Sequence, residues 1–393
     1  DGGITDENAF LKRGEFAVYI AELGGFNSGG GKSGERYFYD VSANSDYAAE
    51  IEFCRQMGYI DGNGSFYFEP EENLTVGQCI KMVVSLLGYK QLAEYSGGYP
   101  TGFYAMASKL KLLSKIKKEA DEHITVGETA RIIYNSFDAE ILKQTTYGTD
   151  GVFSTNGDTV LSYNDMYKIT AVPTANEFTS VYPNGNISRK GAVLLGESEY
   201  SAGNSGASDM VGIKCDIYLR KSDSDRDEVV YIRKNESVKN ISINAGNINR
   251  ADNGMIEYYE GKNKRTVRIS EDASVIYNGR SIERGDADFN LESGRIDLYD
   301  NGEGYKTVII TEYEYCFIAS FNDETETINF SEGTSGGKVS LELGDMNGYK
   351  IISNGKPGKA KDLAEGKLAR IAVAKDFKFC SIDVLSKSIS GVI

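Results

Sequence analysis

A short phrase opens an apolar helix three times in the first 130 residues, and an internal repeat restricts architecture more than composition does. The phrases are Leu11-Lys12-Arg13-Gly14-Glu15-Phe16-Ala17, Leu74-Thr75-Val76-Gly77-Gln78 and Ile124-Thr125-Val126-Gly127-Glu128-Thr129-Ala130. They recur about 50 to 60 residues apart, the length of one supersecondary unit. Thr75-x-x-Gln78 and Thr125-x-x-Glu128 read as capping boxes, in which the hydroxyl accepts from a first-turn amide and the third side chain reaches back. Capping explains the threonines and the Gln or Glu with no ligand. It does not explain Arg13, whose place is held by Val76 and Val126 in the other copies.

The period of the apolar residues divides the chain. Up to about residue 143 it is helical. Tyr47, Ile51 and Cys54 share one face, ended by Gly58; Cys79, Ile80, Val83, Val84 and Leu87 form a second stripe, stopped by Gly88. Ala105, Ala107, Leu110, Leu112 and Leu113 make a third, and Ala130, Ile133, Tyr134 and Phe137 a fourth. From Tyr147 the period becomes two, in short runs such as Val229–Ile232, Thr266–Ile269, Arg295–Tyr299 and Lys306–Ile310, separated by Asn-Gly and Ser-Gly turns. The β half also repeats a loose order of turn, glycine-led strand, charged hairpin and strand, starting at Leu195-Gly196, Asn278-Gly279 and Asn354-Gly355. The expected fold is multidomain, α plus all-β: helical repeats over 1–143 (a partial copy at 1–26, then 37–90 and 97–143), followed by small antiparallel barrel or sandwich modules over 147–270 and 271–393.

The middle copy carries several ordered submotifs: Tyr37-Phe38-Tyr39-Asp40-Val41, the helix from Ala48 to Cys54, Met57-Gly58-Tyr59-Ile60-Asp61-Gly62, Phe68-Glu69-Pro70 and Leu74-Thr75-Val76-Gly77-Gln78. In this order they resemble the S-layer homology family, the modules that hold surface proteins on Gram-positive cell walls. The resemblance covers residues 1–143. It implies three modules in a pseudo-threefold cluster, with an arginine of each Ile-Thr-Arg-x-Glu phrase lining a groove that grips anionic wall polysaccharide. A guanidinium suits that task, because its planar fork makes bidentate, charge-assisted bonds to carboxylate or phosphate. Here only Arg13 stands at that position, flanked by Lys12 and Glu15, so these three are the candidate glycan-binding residues.

Other chemistry finds little support. The net charge of −15, from 58 acidic and 43 basic residues, argues against nucleic acid and anionic lipid as partners. No run approaches the roughly 18 apolar residues that a membrane span needs. The five cysteines are scattered without a Cys-x-x-Cys pair and read as buried thiols, and the single histidine, His123, reads as a surface loop residue. Asp223, Asp225 and Asp227 alternate as in a calcium loop but lack its glycine and its terminal glutamate, so they are a weak calcium candidate and no other cofactor is expected. Ser28-Gly29-Gly30-Gly31-Lys32-Ser33-Gly34 ends like a phosphate-binding loop, but its leading glycine is replaced by Phe26, and it reads as a flexible link. No paired carboxylates stand out, and strand propensity accounts for the 26 tyrosines.

The expected protein is therefore a non-enzymatic, extracellular surface or S-layer-type protein, partnered by cell-wall polysaccharide or by neighbouring copies. Two alternatives stand beside it: carbohydrate binding through the β modules, and the non-catalytic part of a wall-active hydrolase. Asp1-Gly2 reads as the inside of a motif, which suggests a start after a removed leader, and Ser390–Ile393 as the opening of a further strand.

Overall fold

The structure, a computed structural model, describes residues 6–27, 37–145, 152–331 and 339–385. The glycine-rich link at 28–34, the opening Asp1-Gly2 and the strand expected at 390–393 lie outside them. The chain divides into two compact units, residues 1–168 and 169–393.

The first unit holds helices α1 (Arg13–Leu23), α2 (Ala48–Gln56), α3 (Val76–Leu86), α4 (Lys90–Tyr95), α5 (Thr101–Lys109) and α6 (Val126–Ser136). The three phrases meet at its centre in a closed ring of backbone hydrogen bonds. Leu11 N–H donates to Ile124 O (3.4 Å), Ile124 N–H to Leu74 O (3.0 Å) and Leu74 N–H to Leu11 O (2.8 Å). The side chains of all three are buried. The next residues repeat the threefold pattern. Arg13, Val76 and Val126 donate to Glu72 O, Glu122 O and Ala9 O, while Gly14, Gly77 and Gly127 donate to Pro70 O, Ala120 O and Glu7 O. The first amides of each helix, which have no partner inside the helix, are thus taken up by the segment preceding another copy's phrase. That close approach demands glycine: a Cβ on Gly77 would lie 2.9 Å from Ala120 O, and one on Gly14 2.4 Å from the Tyr47 ring.

Both capping boxes form. Thr75 Oγ1 accepts from Gln78 N–H (3.3 Å) and Thr75 N–H donates to Gln78 Oε1 (3.1 Å); Thr125 and Glu128 repeat the pair at 3.3 and 2.9 Å. In the first copy Glu15 accepts from Lys12 N–H (2.9 Å), but a lysine has no acceptor to return the bond, so only half the box exists. Gly58 and Gly88 end their helices at positive φ, as their positions suggested. The third stripe is shorter than its apolar pattern: α5 stops at Lys109, Lys111 turns left-handed at φ 60°, and Leu112 is buried from the turn instead. The core also continues past residue 143. β1 (Lys143–Gln144) pairs with β2 (Phe153–Ser154), Val160 is fully buried among the helices, and Asn164 Nδ2 donates to Glu22 O (3.1 Å).

The second unit is all β. Its first sheet runs β3 (Met166–Ala171), β4 (Pro173–Asn176), β5 (Ala192–Leu195), β6 (Ser198–Ser201), β7 (Cys215–Arg220) and β8 (Glu228–Lys234), in the order β3-β7-β8-β6-β5-β4. Then follow β9 (Lys239–Asn244), a three-stranded meander of β10 (Ile248–Asp252), β11 (Met255–Glu260) and β12 (Asn263–Arg268), then β13 (Ser274–Tyr277), β14 (Arg280–Ile282), β15 (Arg295–Asp300) and β16 (Tyr305–Thr311). The last group is β17 (Glu314–Asn322), β18 (Thr327–Phe330), β19 (Ser340–Glu342), β20 (Gly348–Ser353), β21 (Lys356–Pro357), β22 (Leu368–Val373) and β23 (Phe379–Val384).

The second and third groups share one topology, β14-β13-β16-β15-β9 against β21-β20-β23-β22-β17. In each, a hairpin around an Asn-Gly turn lies parallel to the last strand: Val275 is opposite Val308, and Ile351 opposite Ile382. The sheets are therefore not purely antiparallel, and among the described residues their strand orders are open and none closes into a barrel. A boundary at residue 270 would divide a sheet, because β9 pairs with β15 over six residues. The turn at Asn278 ties the last two groups together: its Nδ2 donates to Glu312 O and to Val373 O, both at 2.8 Å, and its Oδ1 accepts from Glu312 N–H.

Candidate anion-binding cavity

Arg13 is the first residue of α1, and its side chain runs into the protein rather than into solvent, only 8% exposed. The guanidinium carbon lies 4.8 Å from the centre of the Phe68 ring, a face-on cation–π arrangement, and NH1 is 3.5 Å from Glu69 Oε2. That ion pair is too long to be a hydrogen bond. Arg13 Nε is buried with no hydrogen-bond partner. Burial pulls the guanidinium below its ordinary pKa, and the negative charges of Glu69 and Asp40 oppose that. A guanidinium nonetheless stays protonated in a protein.

The guanidinium opens into a cavity of about 340 Å³ lined among others by Asp61, Asn63, Glu69, Gln78, Lys81 and Tyr99. One lining residue, Glu69, is left-handed at φ 60° and is anchored by Asp40, whose carboxylate accepts from Phe68 N–H (2.9 Å) and Glu69 N–H (2.6 Å). The cavity's second cation comes from α3. Lys81 Nζ sits 3.0 Å from Asp61 Oδ2, while Lys90 Nζ sits 2.6 Å from Asp61 Oδ1. Partial burial works against the Asp61 charge, but hydrogen bonds from Lys90 and Lys81 outweigh it and hold the carboxyl below its usual value. The cavity is thus lined by a largely buried guanidinium, that of Arg13, and by an ammonium, that of Lys81, shared with one carboxylate. Both are geometries that an anion can enter by displacing Glu69 from Arg13 or by joining Lys81.

Of the three residues singled out from the sequence, only Arg13 lines the cavity. Lys12 points away and pairs with Glu71 at the surface, and Glu15 is spent on the cap of Lys12 N–H. Lys81 was missed. Its signal was its isolation, as the one charged residue of an otherwise uncharged helix of 11 residues.

No family model matches the chain. It is similar to a cell surface protein of Thermoanaerobacter kivui, 24% identical over 262 residues, which cover 63% of this chain and 30% of that protein. It is also similar to the middle cell wall protein of Brevibacillus brevis, 19% identical over 422 residues (91% of this chain, 38% of the relative), and to a surface layer protein of Brevibacillus choshinensis, 19% over 402 residues (91% and 34%). These relatives place the chain outside the cell, at the wall. They support a cell-surface protein of the surface-layer type, and none of the three names is that of an enzyme. The chain spans 30% to 38% of the relatives' own lengths.

The remaining candidates separate from the cavity. At the tip between β7 and β8, Asp225 is 2.9 Å from Arg189 and 3.6 Å from Arg226, and Asp227 accepts from Ser222 N–H (3.0 Å). The hydrogen bond from Arg189 holds Asp225 below its usual pKa. Two of the alternating aspartates are thus engaged in charge pairing and hydrogen bonding at the hairpin tip, and among the described residues no three His, Cys, Asp or Glu side chains are grouped to hold a metal ion. His123 is exposed, its ring 5.6 Å from that of Phe10. All five cysteines are free and buried, and burial pushes Cys54, Cys215 and Cys380 up to about 12. No helix among the described residues is long and apolar enough to cross a membrane.

Proposed function

We propose that this chain is part of a non-enzymatic surface-layer protein whose helical unit, an S-layer homology cluster, holds an acidic cell-wall polysaccharide at the Arg13 cavity. The β unit serves as a spacer and assembly element. The observation that carries the reading is the buried Arg13 Nε without a partner. Buried polar groups are almost always hydrogen-bonded, and Arg13 is a lining residue of the cavity, so the unfilled hydrogen-bonding capacity of its guanidinium supports an acceptor supplied from outside. A carboxylate or phosphate substituent on a sugar brings two coplanar oxygens to that fork, with Lys81 within the same cavity as a second cation. Val76 and Val126 offer no charge at the equivalent positions, so a single groove does the binding.

Sedimentation with purified walls tests this. The wild-type chain is expected to co-sediment, and Arg13→Met to remain in the supernatant while keeping its helical circular dichroism. Equal co-sedimentation of both proteins removes the cavity from the function. Failure of the folded wild type to bind leaves the helical unit as a scaffold.

A further inference from the structure

One loop of the first unit has two sides. Residues 61–69 supply Asp61, Asn63 and Glu69 to the Arg13 cavity, and the same loop carries Phe66 and Tyr67 outward, 49% and 44% exposed. Tyr39, 72% exposed, and Tyr37, 41%, stand beside them. The four rings form a continuous surface. Tyr37 and Phe66 are 5.5 Å apart, Tyr39 is 5.9 Å from Phe66 and 5.9 Å from Tyr67, and successive pairs are tilted by 57° to 66°. Large aromatic rings seldom cluster on a surface without a partner, and the loop is built to keep them there. Phe66 sits at φ 64°, a left-handed conformation that a bulky side chain rarely adopts. Asn63 holds the turn: its Oδ1 accepts from Ser65 N–H (2.9 Å) and Tyr67 N–H (3.3 Å), its own N–H donates to Tyr67 O (3.0 Å), and its Nδ2 donates to Glu69 Oε1 (3.0 Å). Tyr39 N–H closes the platform on Phe66 O (2.9 Å). The residue that shapes the platform is therefore also a wall of the cavity.

We infer that Tyr39, Phe66 and Tyr67 form a second subsite, a stacking platform for the uncharged pyranose rings adjoining the acidic sugar held at Arg13; the inference rests on the cavity reading. An aromatic face is electron-rich and attracts the polarised C–H face of a sugar ring, while tyrosine hydroxyls at the edge bond sugar hydroxyls. A stepped set of tilted rings suits successive residues of a glycan better than one flat plane does. Continuity through Asn63 and Glu69 is what commits the platform to the same polymer.

The probe is the wall polysaccharide released and purified with its acidic substituents intact, titrated into the wild-type chain, Tyr39→Ala, Phe66→Asn and Arg13→Met. Asparagine tolerates the left-handed turn, so Phe66→Asn removes the ring without disturbing the fold. Each platform variant is expected to weaken binding by about tenfold. Because the chain has no tryptophan, the wild type is expected to give a tyrosine near-ultraviolet difference spectrum on binding that Tyr39→Ala diminishes. Binding that needs Arg13 but is indifferent to both platform variants overturns the platform and leaves the cavity intact. Binding that needs the platform but not Arg13 keeps sugar on the rings and overturns the cavity reading. Platform variants that bind polymer normally but abolish self-association in sedimentation velocity reassign the patch to contact between copies and also overturn the inference.

Discussion

Arg13 is stacked on Phe68, its guanidinium carbon 4.8 Å from the ring centre, and the two side chains are almost wholly buried together. A buried, incompletely partnered charge is an expense to the fold, and replacing it with an apolar side chain of similar length is often neutral or stabilising. We expect Arg13→Met to melt at the wild-type temperature or above it, because Met keeps the packing on Phe68 and the remaining Glu69 is 43% exposed to water. A fall in the melting temperature of the helical unit would mean that the Glu69 pair stabilises more than desolvation costs.

The threefold ring depends on glycine. A Cβ on Gly77 would stand 2.9 Å from both Ala120 O and Tyr99 Oη, and the first of these accepts the Gly77 N–H. Gly77→Ala is expected to destabilise the helical unit by about 1–3 kcal/mol, the usual cost of overpacking a tight contact. Urea unfolding followed at the helical circular-dichroism band measures it, with an unshifted midpoint as the contrary result.

Lys12 is the weak cap of the three. Lys12→Thr restores the missing acceptor and should stabilise the unit by about 1 kcal/mol, since the exposed pair that it gives up with Glu71 is worth little. Thr75→Ala should cost about the same amount in the opposite direction. Equal midpoints for both variants and the wild type would show that the caps contribute nothing here.

Acid should loosen the cavity through Asp61. Its folded-state pKa lies below the ordinary aspartate value of 3.8, so its charge stabilises the folded unit above that value, and the contribution disappears as pH falls through the folded-state value. Asp61→Asn is expected to flatten the acid-side loss of stability between neutral pH and the region below 3.8, read from urea midpoints along a pH series. A wild-type and a variant profile of the same slope would dismiss this role.

Asn278 is buried, left-handed at φ 46°, and makes three hydrogen bonds that reach Glu312 and Val373. Asn278→Ala leaves two carbonyls and one amide short of a partner, and should cost about 2–4 kcal/mol in the β unit. Limited proteolysis near residue 312 is expected to accelerate. Unaltered cleavage would place the strength of that junction elsewhere.

What could be read before the structure was what is local. Thr75 with Gln78 and Thr125 with Glu128 lie three residues apart, and their boxes form as the spacing suggested. The turns expected at Asn278-Gly279 and Asn354-Gly355 likewise form, though the hairpins they close were not part of that expectation. The ring through Leu11, Leu74 and Ile124 was invisible, because its bonds join residues separated by 50 or more positions and no side-chain pattern encodes a backbone partner. The parallel seams between β13 and β16 and between β20 and β23 escaped for the same reason. Of the site, Arg13 was legible because it breaks a repeat. Lys12 and Glu15 were drawn in by adjacency alone, yet successive residues at a helix start point in different directions, which sent one to the surface and the other to a cap. Lys81 needed the fold to bring α3 against α1.

The most direct test is a double cycle between protein and polymer. Purified wall polysaccharide, native or with its acidic groups chemically neutralised, is titrated into wild type and Arg13→Met. If Arg13 grips the acid, either change alone weakens binding by about tenfold or more, and making both changes costs little beyond one, a coupling of at least about 1 kcal/mol. Strictly additive losses, or a wild-type affinity indifferent to neutralisation, would contradict an acidic sugar at Arg13.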